Sequence, residues 1–273
     1  MSTTLQHDGW DLHVGGSADG EHSVLFLAGA LVTGGVYEEL LSEPILRDAS
    51  IRLVAATLPG FGRTTPPDDP SMDVYVQMAT RLAADLGCDV VAGHSMGANV
   101  AIEMAAGSGF TGNLVLVSPS FSAQDEPGIL RFMNRLTPAL GYLPWAGMLK
   151  IVGSAVKGTK VSPERRAALA AEMKNNDARF CAASYRRWIE YAERYGSVVG
   201  RLCESGARAW VVFGAHGDVG LTDEERRGLE ACPRVTLTTI PDAGHMTPME
   251  APRRIADLIV EAAAVGASAA QAA

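Results

Sequence analysis

The sequence VVAGHSMGANVAIEMA at residues 90–105 decides the fold. Ser95 stands in it between a short apolar run and a stretch with the apolar spacing of a helix. A serine at such a junction is a common helix N-cap, a position that requires no chemistry. It is also the position of a catalytic serine where a strand turns sharply into a helix. The flanking residues distinguish the two interpretations.

Gly93 and Gly97 complete the pattern G-x-S-x-G around Ser95. A serine at the tip of so sharp a turn has a strained backbone, and side chains two residues before and after it would collide with the strand and the helix. The helix that follows directs free N–H groups and its positive dipole toward whatever is bound to the serine. A simple N-cap needs neither glycine. The pattern therefore favours a nucleophilic serine.

A serine hydroxyl is inert near neutral pH unless a general base takes its proton. His245 is the predicted base, because it follows a strand-like run in the Gly-containing loop of PDAGHMTPMEAP at 241–252. His94 adjoins the serine along an extended backbone and so projects in another direction. His216 lies beside the predicted acid. The other histidines lie near the start of the chain: His7, His13 and His22.

Asp218 is the predicted acid, at the end of the strand-like run AWVVFGAHGD at 209–218. There it would hold one tautomer of His245 and stabilise the imidazolium formed during reaction. Asp242 is too close to that histidine along the chain, and Asp223 is typical of a helix cap or first turn in TDEERR. The order serine, aspartate, histidine is the one associated with this kind of turn.

Short apolar runs alternate with helical patterns along most of the chain. Strands that are apolar throughout and separated by helices are typical of a mostly parallel sheet with helices on both faces. The run WDLHVGG at 10–16 predicts antiparallel strands at one edge. The sequence therefore predicts an α/β fold. The predicted buried strands lie at 23–29, 51–60, 88–95, 112–120, 207–218 and 234–245.

The alternation stops between about 120 and 206, a stretch with helical patterns punctuated by Pro138, Pro144 and Pro163. It is far too long to be a plain connection between two strands. We interpret it as a helical cap over the carboxyl ends of the strands, inserted before the strand that carries the acid. The Ala-rich end of the chain is typical of a fraying segment. The predicted divisions are a core at 1–119 and 207–265, a cap at 120–206 and a flexible tail at 266–273.

The composition is that of a globular protein: 47% of the 273 residues are hydrophobic and 20% are charged. The formal net charge of −8 does not favour nucleic acid or an anionic membrane as a partner, because both attract clustered Lys and Arg. No apolar run reaches the roughly 18 residues of a membrane span. We therefore expect neither partner, and the sequence does not indicate an oligomeric state.

The four cysteines are scattered and form no C-x-x-C pair: Cys88, Cys181, Cys203 and Cys232. Free thiols in a reducing compartment fit this distribution better than a disulfide framework or a metal site. The first residues lack the basic and apolar segments of a secretory signal peptide. We therefore predict a cytoplasmic protein with no metal and no organic cofactor.

Taken in chain order, LPGFGRTTPP at 58–67, GHSMG at 93–97, FGAHGD at 213–218 and DAGHMTPMEAP at 242–252 resemble the α/β-hydrolase superfamily. The resemblance is to the subgroup with a helical cap, and it extends from residue 23 to about 264. It implies the α/β-hydrolase fold and a Ser-His-Asp triad. The implied nucleophile, base and acid are the ones chosen above.

The resemblance also implies an oxyanion hole made of two backbone N–H groups. One belongs to Met96, just after the nucleophile, and by position the other belongs to Ala30, in the loop after the first central strand. The family usually has His-Gly in this loop, whereas this chain has Ala28 and Gly29. Because the donor is a backbone group, the histidine is not needed for donation. Its loss removes a side chain that normally organises the loop.

These residues predict a serine hydrolase that cleaves a carboxylic ester or related acyl substrate, small to medium in size and partly apolar, through an acyl-Ser95 intermediate. The serine excludes the family members that alkylate an aspartate. A carbon–carbon bond hydrolase, a lactonase or an acyl thioesterase would use the same triad, so these alternatives stay open. A non-catalytic ligand-binding protein on the same fold is a further alternative, because fold alone does not determine function.

Overall fold

The computed structural model describes residues 3–7, 9–62 and 64–271, and Arg63 of the LPGFGRTTPP motif lies outside this range. Its strands form one sheet: β1 (Thr3–His7), β2 (Trp10–Gly16), β3 (His22–Leu27), β4 (Ile51–Ala56), β5 (Val90–His94), β6 (Asn113–Val117), β7 (Ala209–Gly214) and β8 (Val235–Ile240).

The strands lie in the order β1-β2-β4-β3-β5-β6-β7-β8. Strand β2 is antiparallel to both of its neighbours, β1 and β4, and the other pairs of neighbours are parallel. The predicted α/β fold with a mostly parallel sheet is therefore confirmed. The run WDLHVGG forms β2, so the predicted antiparallel edge is confirmed as well.

Two apolar cores lie on opposite faces of the sheet, and every residue of β5 and β7 is buried between them. Strand β3 shows the alternation: Leu25 and Leu27 belong to one core, whereas Val24 and Phe26 belong to the other. Helices cover both faces: α1 (Glu38–Leu41), α2 (Pro44–Asp48), α3 (Met72–Asp85), α4 (Met96–Gly107), α10 (Asp223–Ala231), α11 (Thr247–Glu250) and α12 (Pro252–Gln271).

Helices also fill the long stretch between β6 and β7: α5 (Gly128–Leu140), α6 (Leu143–Ala155), α7 (Pro163–Lys174), α8 (Ala178–Tyr195) and α9 (Val199–Glu204). An ion pair with a buried carboxylate joins this stretch to α4, because Arg201 donates to both oxygens of Glu103 at 2.6 and 2.5 Å. Tyr191 Oη donates to the same carboxylate at 2.8 Å. The division into core and cap stays a prediction, as does the flexible tail, whose last two residues lie outside the described part.

A disulfide joins Cys203, at the end of α9, to Cys232, just after α10, with their Cα atoms 5.6 Å apart. The prediction of free thiols is wrong for this pair. The two cysteines are 29 residues apart and match no spacing motif, so only the packing of α9 against α10 brings them together. The prediction holds for Cys88 and Cys181, which are free.

None of the helices in the described residues combines the length and the hydropathy needed to cross a bilayer.

Candidate active site

The turn between β5 and α4 holds Ser95 at φ 51° and ψ −122°. Residues other than glycine rarely adopt this backbone conformation. A Cβ atom on Gly93 would lie 2.4 Å from the Gly97 carbonyl oxygen, and one on Gly97 would lie 2.3 Å from the Leu27 carbonyl oxygen. The predicted crowding is therefore present on both sides of the serine. Ser95 is the N-cap by position, but its hydroxyl makes no capping hydrogen bond.

Asp218 and His245 form a hydrogen-bonded pair, with the carboxylate Oδ1 2.9 Å from the ring Nδ1. Ser118 Oγ and the Gly214 N–H donate to Oδ2, and the Val219 N–H donates to Oδ1, each at 2.7 Å. Burial raises the pKa of Asp218, but the hydrogen bonds and the histidine outweigh it, so the net pKa lies below the usual value. The carboxylate is therefore ionised near neutral pH and fixes the imidazole.

A cavity of about 430 Å³ brings the predicted residues together: Ser95, His245, Asp218, Met96 and Ala30 all line it. Among the described residues, no hydrogen bond joins the Ser95 hydroxyl to the His245 ring. The backbone N–H groups of Met96 and Ala30 likewise have no acceptor within the described part of the chain. Most of the remaining lining is apolar, including Leu31, Val32, Phe61, Ile129, Leu130 and Met148.

His94, only 2% exposed, connects the two loops that flank the cavity. Its Nε2 lies 2.7 Å from the His245 carbonyl oxygen, which can only accept, so Nε2 carries the proton. Its Nδ1 then accepts from Tyr37 Oη at 2.9 Å, and that oxygen accepts from the Gly29 N–H at 3.2 Å. Burial, with repulsion from the His245 ring, lowers the pKa of His94 to about 3, so the ring is neutral.

The loop that contains Ala28, at the position where the resemblance implies histidine, is held by the helical stretch between β6 and β7. Asn176, between α7 and α8, donates to the Leu31 carbonyl oxygen at 2.8 Å. The Glu172 carboxylate accepts from the Thr33 N–H. Together with the Tyr37 hydroxyl, these contacts organise the loop without the usual histidine.

The competing candidates lie elsewhere. His216 and Asp242 are exposed, and Asp223 is the first residue of α10, the first-turn position predicted for it. Among the histidines near the start of the chain, His13 lies 3.2 Å from Asp11 and His22 lies 2.7 Å from Asp89. The side chain of His7 lies outside the described residues.

The sequence did not predict two residues that contact the site: one supports the Asp218–His245 pair, and the other supports the loop that contains Ala28. Ser118 stands at the end of β6 with φ 52° and donates to Asp218. Its position at the carboxyl end of a predicted strand was a usable signal, because the ends of parallel strands share one edge of the sheet. Tyr37, in a short 3-10 helix, offered no motif. In the described part of the chain, no group of three or more His, Cys, Asp or Glu is arranged to hold a metal.

Residues 24–258 match the sequence profile of the Alpha/beta hydrolase family. The chain belongs to this family. The predicted membership in the superfamily is therefore confirmed. No match to a curated protein was found for this alpha/beta hydrolase.

Solved structures of several enzymes resemble this alpha/beta hydrolase at low sequence identity. A thioesterase domain from the curacin biosynthetic pathway is 20% identical with a TM-score of 0.71, over 96% of this chain and 99% of that one. A thermophilic esterase from Thermogutta terrifontis is 19% identical with a TM-score of 0.73, over 96% of this chain and 97% of that one. A haloalkane dehalogenase from Bradyrhizobium elkani is 16% identical with a TM-score of 0.74, over 98% and 99%. At these identities the likeness shows the fold, and family and fold together support hydrolysis as the reaction class.

Proposed function

We propose that this alpha/beta hydrolase cleaves a carboxylic ester or a related acyl substrate through an acyl intermediate on Ser95. The observation that carries the proposal is the hydrogen-bonded Asp218–His245 pair, with its carboxylate buried, in the same cavity as a serine on a glycine-flanked turn. A serine without a base would be inert, and a base without an acid would lack a fixed tautomer. All three residues line one cavity, which supports this proposal.

In the proposed reaction, Ser95 Oγ attacks the acyl carbon while His245 Nε2 takes the hydroxyl proton. Asp218 accepts a hydrogen bond from Nδ1–H and stabilises the imidazolium. The imidazolium then gives its proton to the leaving alcohol, and the acyl-serine ester remains. A water molecule, deprotonated by the same histidine, attacks this ester and releases the acid, so that the net change is hydrolysis.

The backbone N–H groups of Met96 and Ala30 are proposed to bind the oxyanion of the tetrahedral intermediate. The first stands at the N-terminus of α4, where the helix dipole favours negative charge. Loss of one such donor costs on the order of 10²–10³ in turnover. The contacts of Tyr37, Glu172 and Asn176 support a fixed position for the loop of the second donor.

We propose that the substrate is small to medium in size and partly apolar. The volume of the cavity falls in the range of ligand pockets, about 300–1,000 Å³, and its lining is largely apolar. We further propose that the helical stretch between β6 and β7 acts as the cap of this cavity. A cytoplasmic location, and the absence of nucleic-acid and membrane partners, stay predictions. Cell fractionation tests the cytoplasmic location, because a disulfide is rare in a reducing compartment.

A fluorophosphonate probe tests the nucleophile. We expect wild type to be labelled covalently and Ser95→Ala to stay unlabelled. Ser184→Ala is the matched control, because Ser184 also lines the cavity and should leave labelling intact. An unlabelled wild type, or a labelled Ser95→Ala, would contradict the proposal. A panel of esters, thioesters, lactones and vinylogous diketones then identifies the bond that is cleaved, and esters should be hydrolysed fastest.

A further inference from the structure

Polar side chains in the helical part of the cavity lack hydrogen-bond partners. Tyr185 Oη, Trp188 Nε1 and Trp145 Nε1 are buried, and none is hydrogen-bonded within the described part of the chain. All three residues line the cavity together with Ser95. Buried tyrosine hydroxyls and indole N–H groups normally find a partner. These donors are therefore available to a molecule bound in the cavity.

Glu126 places a carboxyl group beside two of these donors and also lines the cavity. Its Oε1 accepts a hydrogen bond from Ser120 Oγ at 2.7 Å. Burial raises the pKa of this carboxyl, although the Ser120 hydroxyl and the nearby His245 oppose the rise. The catalytic scheme above gives no task to this carboxyl. A carboxyl held toward its neutral form can both donate and accept a hydrogen bond.

The donors of Tyr185 and Trp188 converge on this carboxyl. The two residues are three positions apart on α8, so their side chains share one helix face. Both donors point to the Glu126 carboxyl closely enough to oppose the rise in its pKa, although neither reaches the distance and angle of a full hydrogen bond with it. The ring of Trp145 packs against that of Tyr185, with centroids 5.2 Å apart.

We propose that Tyr185, Trp188 and Glu126 form a polar subsite that binds an uncharged carbonyl oxygen of the substrate, separate from the acyl group under attack. The inference rests on the proposed function and specifies its substrate class: esters whose otherwise apolar acyl or alcohol part carries a ketone. A carbonyl oxygen has two lone pairs and so accepts from both unpartnered donors at once. The mostly apolar lining around these donors favours an uncharged group.

Pairs of esters that differ by one carbonyl test the subsite. One pair is p-nitrophenyl pentanoate and p-nitrophenyl 4-oxopentanoate, which places the ketone on the acyl side. The other is pentyl acetate and 4-oxopentyl acetate, which places it on the alcohol side. With wild type we expect kcat/KM of the oxo ester to exceed that of its hydrocarbon partner on the order of tenfold or more in one of the pairs, because a pocket that hydrogen-bonds a substrate group discriminates against analogues without it.

Substitutions separate recognition from packing. Tyr185→Phe and Trp188→Phe remove one donor each, so both should bring the ratio of the two kcat/KM values toward one. Glu126→Gln keeps a neutral donor and acceptor and should keep the preference, whereas Glu126→Leu should reduce it. Tyr195→Phe, on the same helix and 39% exposed, is the control and should behave as wild type.

The outcomes distinguish the subsite from the reaction. If wild type hydrolyses both members of each pair equally, or prefers the hydrocarbon, the subsite is overturned and the proposed function stands. The subsite is also overturned if Tyr185→Phe slows both members of a pair alike, because that result indicates a structural role. If wild type hydrolyses no ester and takes up no fluorophosphonate, both proposals fail.

Discussion

The burial of His94 makes the stability of the folded chain depend on pH. An unfolded histidine titrates near 6.5, whereas burial lowers the pKa of His94 to about 3 in the folded chain. Between these values the unfolded chain binds one proton more than the folded chain does. Stability therefore rises with pH across this window and is lost as the pH falls, by about 1.4 kcal/mol per pH unit at most.

We predict that His94→Gln removes this dependence. Between pH 6 and pH 4 the free energy of unfolding should fall by about 2 kcal/mol more in wild type than in the variant. Urea unfolding at a series of pH values measures the difference. His216→Gln is the control, because His216 is exposed and its loss should leave the wild-type slope. Parallel curves for wild type and His94→Gln would contradict the assignment.

The choice of acid is tested at the residue scale as well. Asp218→Asn should lower kcat by about 10⁴, because the amide no longer favours the His245 tautomer with a proton on Nδ1. Asp223→Asn and Asp242→Asn should stay close to wild type, since neither residue lines the cavity. Steady-state ester hydrolysis gives the comparison. A larger loss in either control would move the acid to that position.

The turn between β5 and α4 is the element on which the site depends. A Cβ atom on Gly93 would meet backbone atoms of Gly97 and Ala98 at 2.4–2.6 Å, and backbone cannot move aside as a flexible side chain does. We predict that Gly93→Ala lowers the free energy of unfolding by more than about 3 kcal/mol and abolishes labelling. Gly147→Ala in α6 is the control.

The control variant Gly147→Ala has an expected effect on stability as well. A Cβ atom on Gly147 would have nothing within 4 Å, and alanine is the better helix former by about 1 kcal/mol. Gly147→Ala should therefore match or exceed the wild-type stability in thermal unfolding. If Gly93→Ala is as stable as Gly147→Ala, crowding does not explain the glycine in the turn.

At the scale of elements, local patterns predicted most of the architecture. Most of the predicted strand runs are apolar and end in Gly, Pro or Ser, and the antiparallel edge followed from WDLHVGG at 10–16. Ser95, Asp218 and His245 could be predicted as one site because each follows a strand at the same edge of a parallel sheet. Tyr37 and Glu126 could not be found in this way. Their roles depend on contacts between segments far apart in the chain, which no spacing records.

For the whole molecule, the bond between Cys203 and Cys232 is a cross-link that the sequence pattern did not predict. It closes a loop over a separation of 29 residues, for which chain entropy gives a stabilisation of about 3–4 kcal/mol. We predict that Cys232→Ser, or dithiothreitol acting on wild type, lowers Tm by roughly 10 °C. Cys88→Ser is the control, since Cys88 is free. A Tm of wild type that does not respond to reductant would contradict the cross-link.

The hydrogen bond from Asn176 to Leu31 has a consequence for substrate exchange. Because the turn between α7 and α8 holds the loop of Ala30, a hinge motion that carried this turn away from the sheet would also release that loop. A substrate that entered by such a motion would then meet a site in which the Ala30 and Met96 N–H groups are not yet in place together. Turnover by that route requires closure before each attack, so an open form could bind an ester without hydrolysing it.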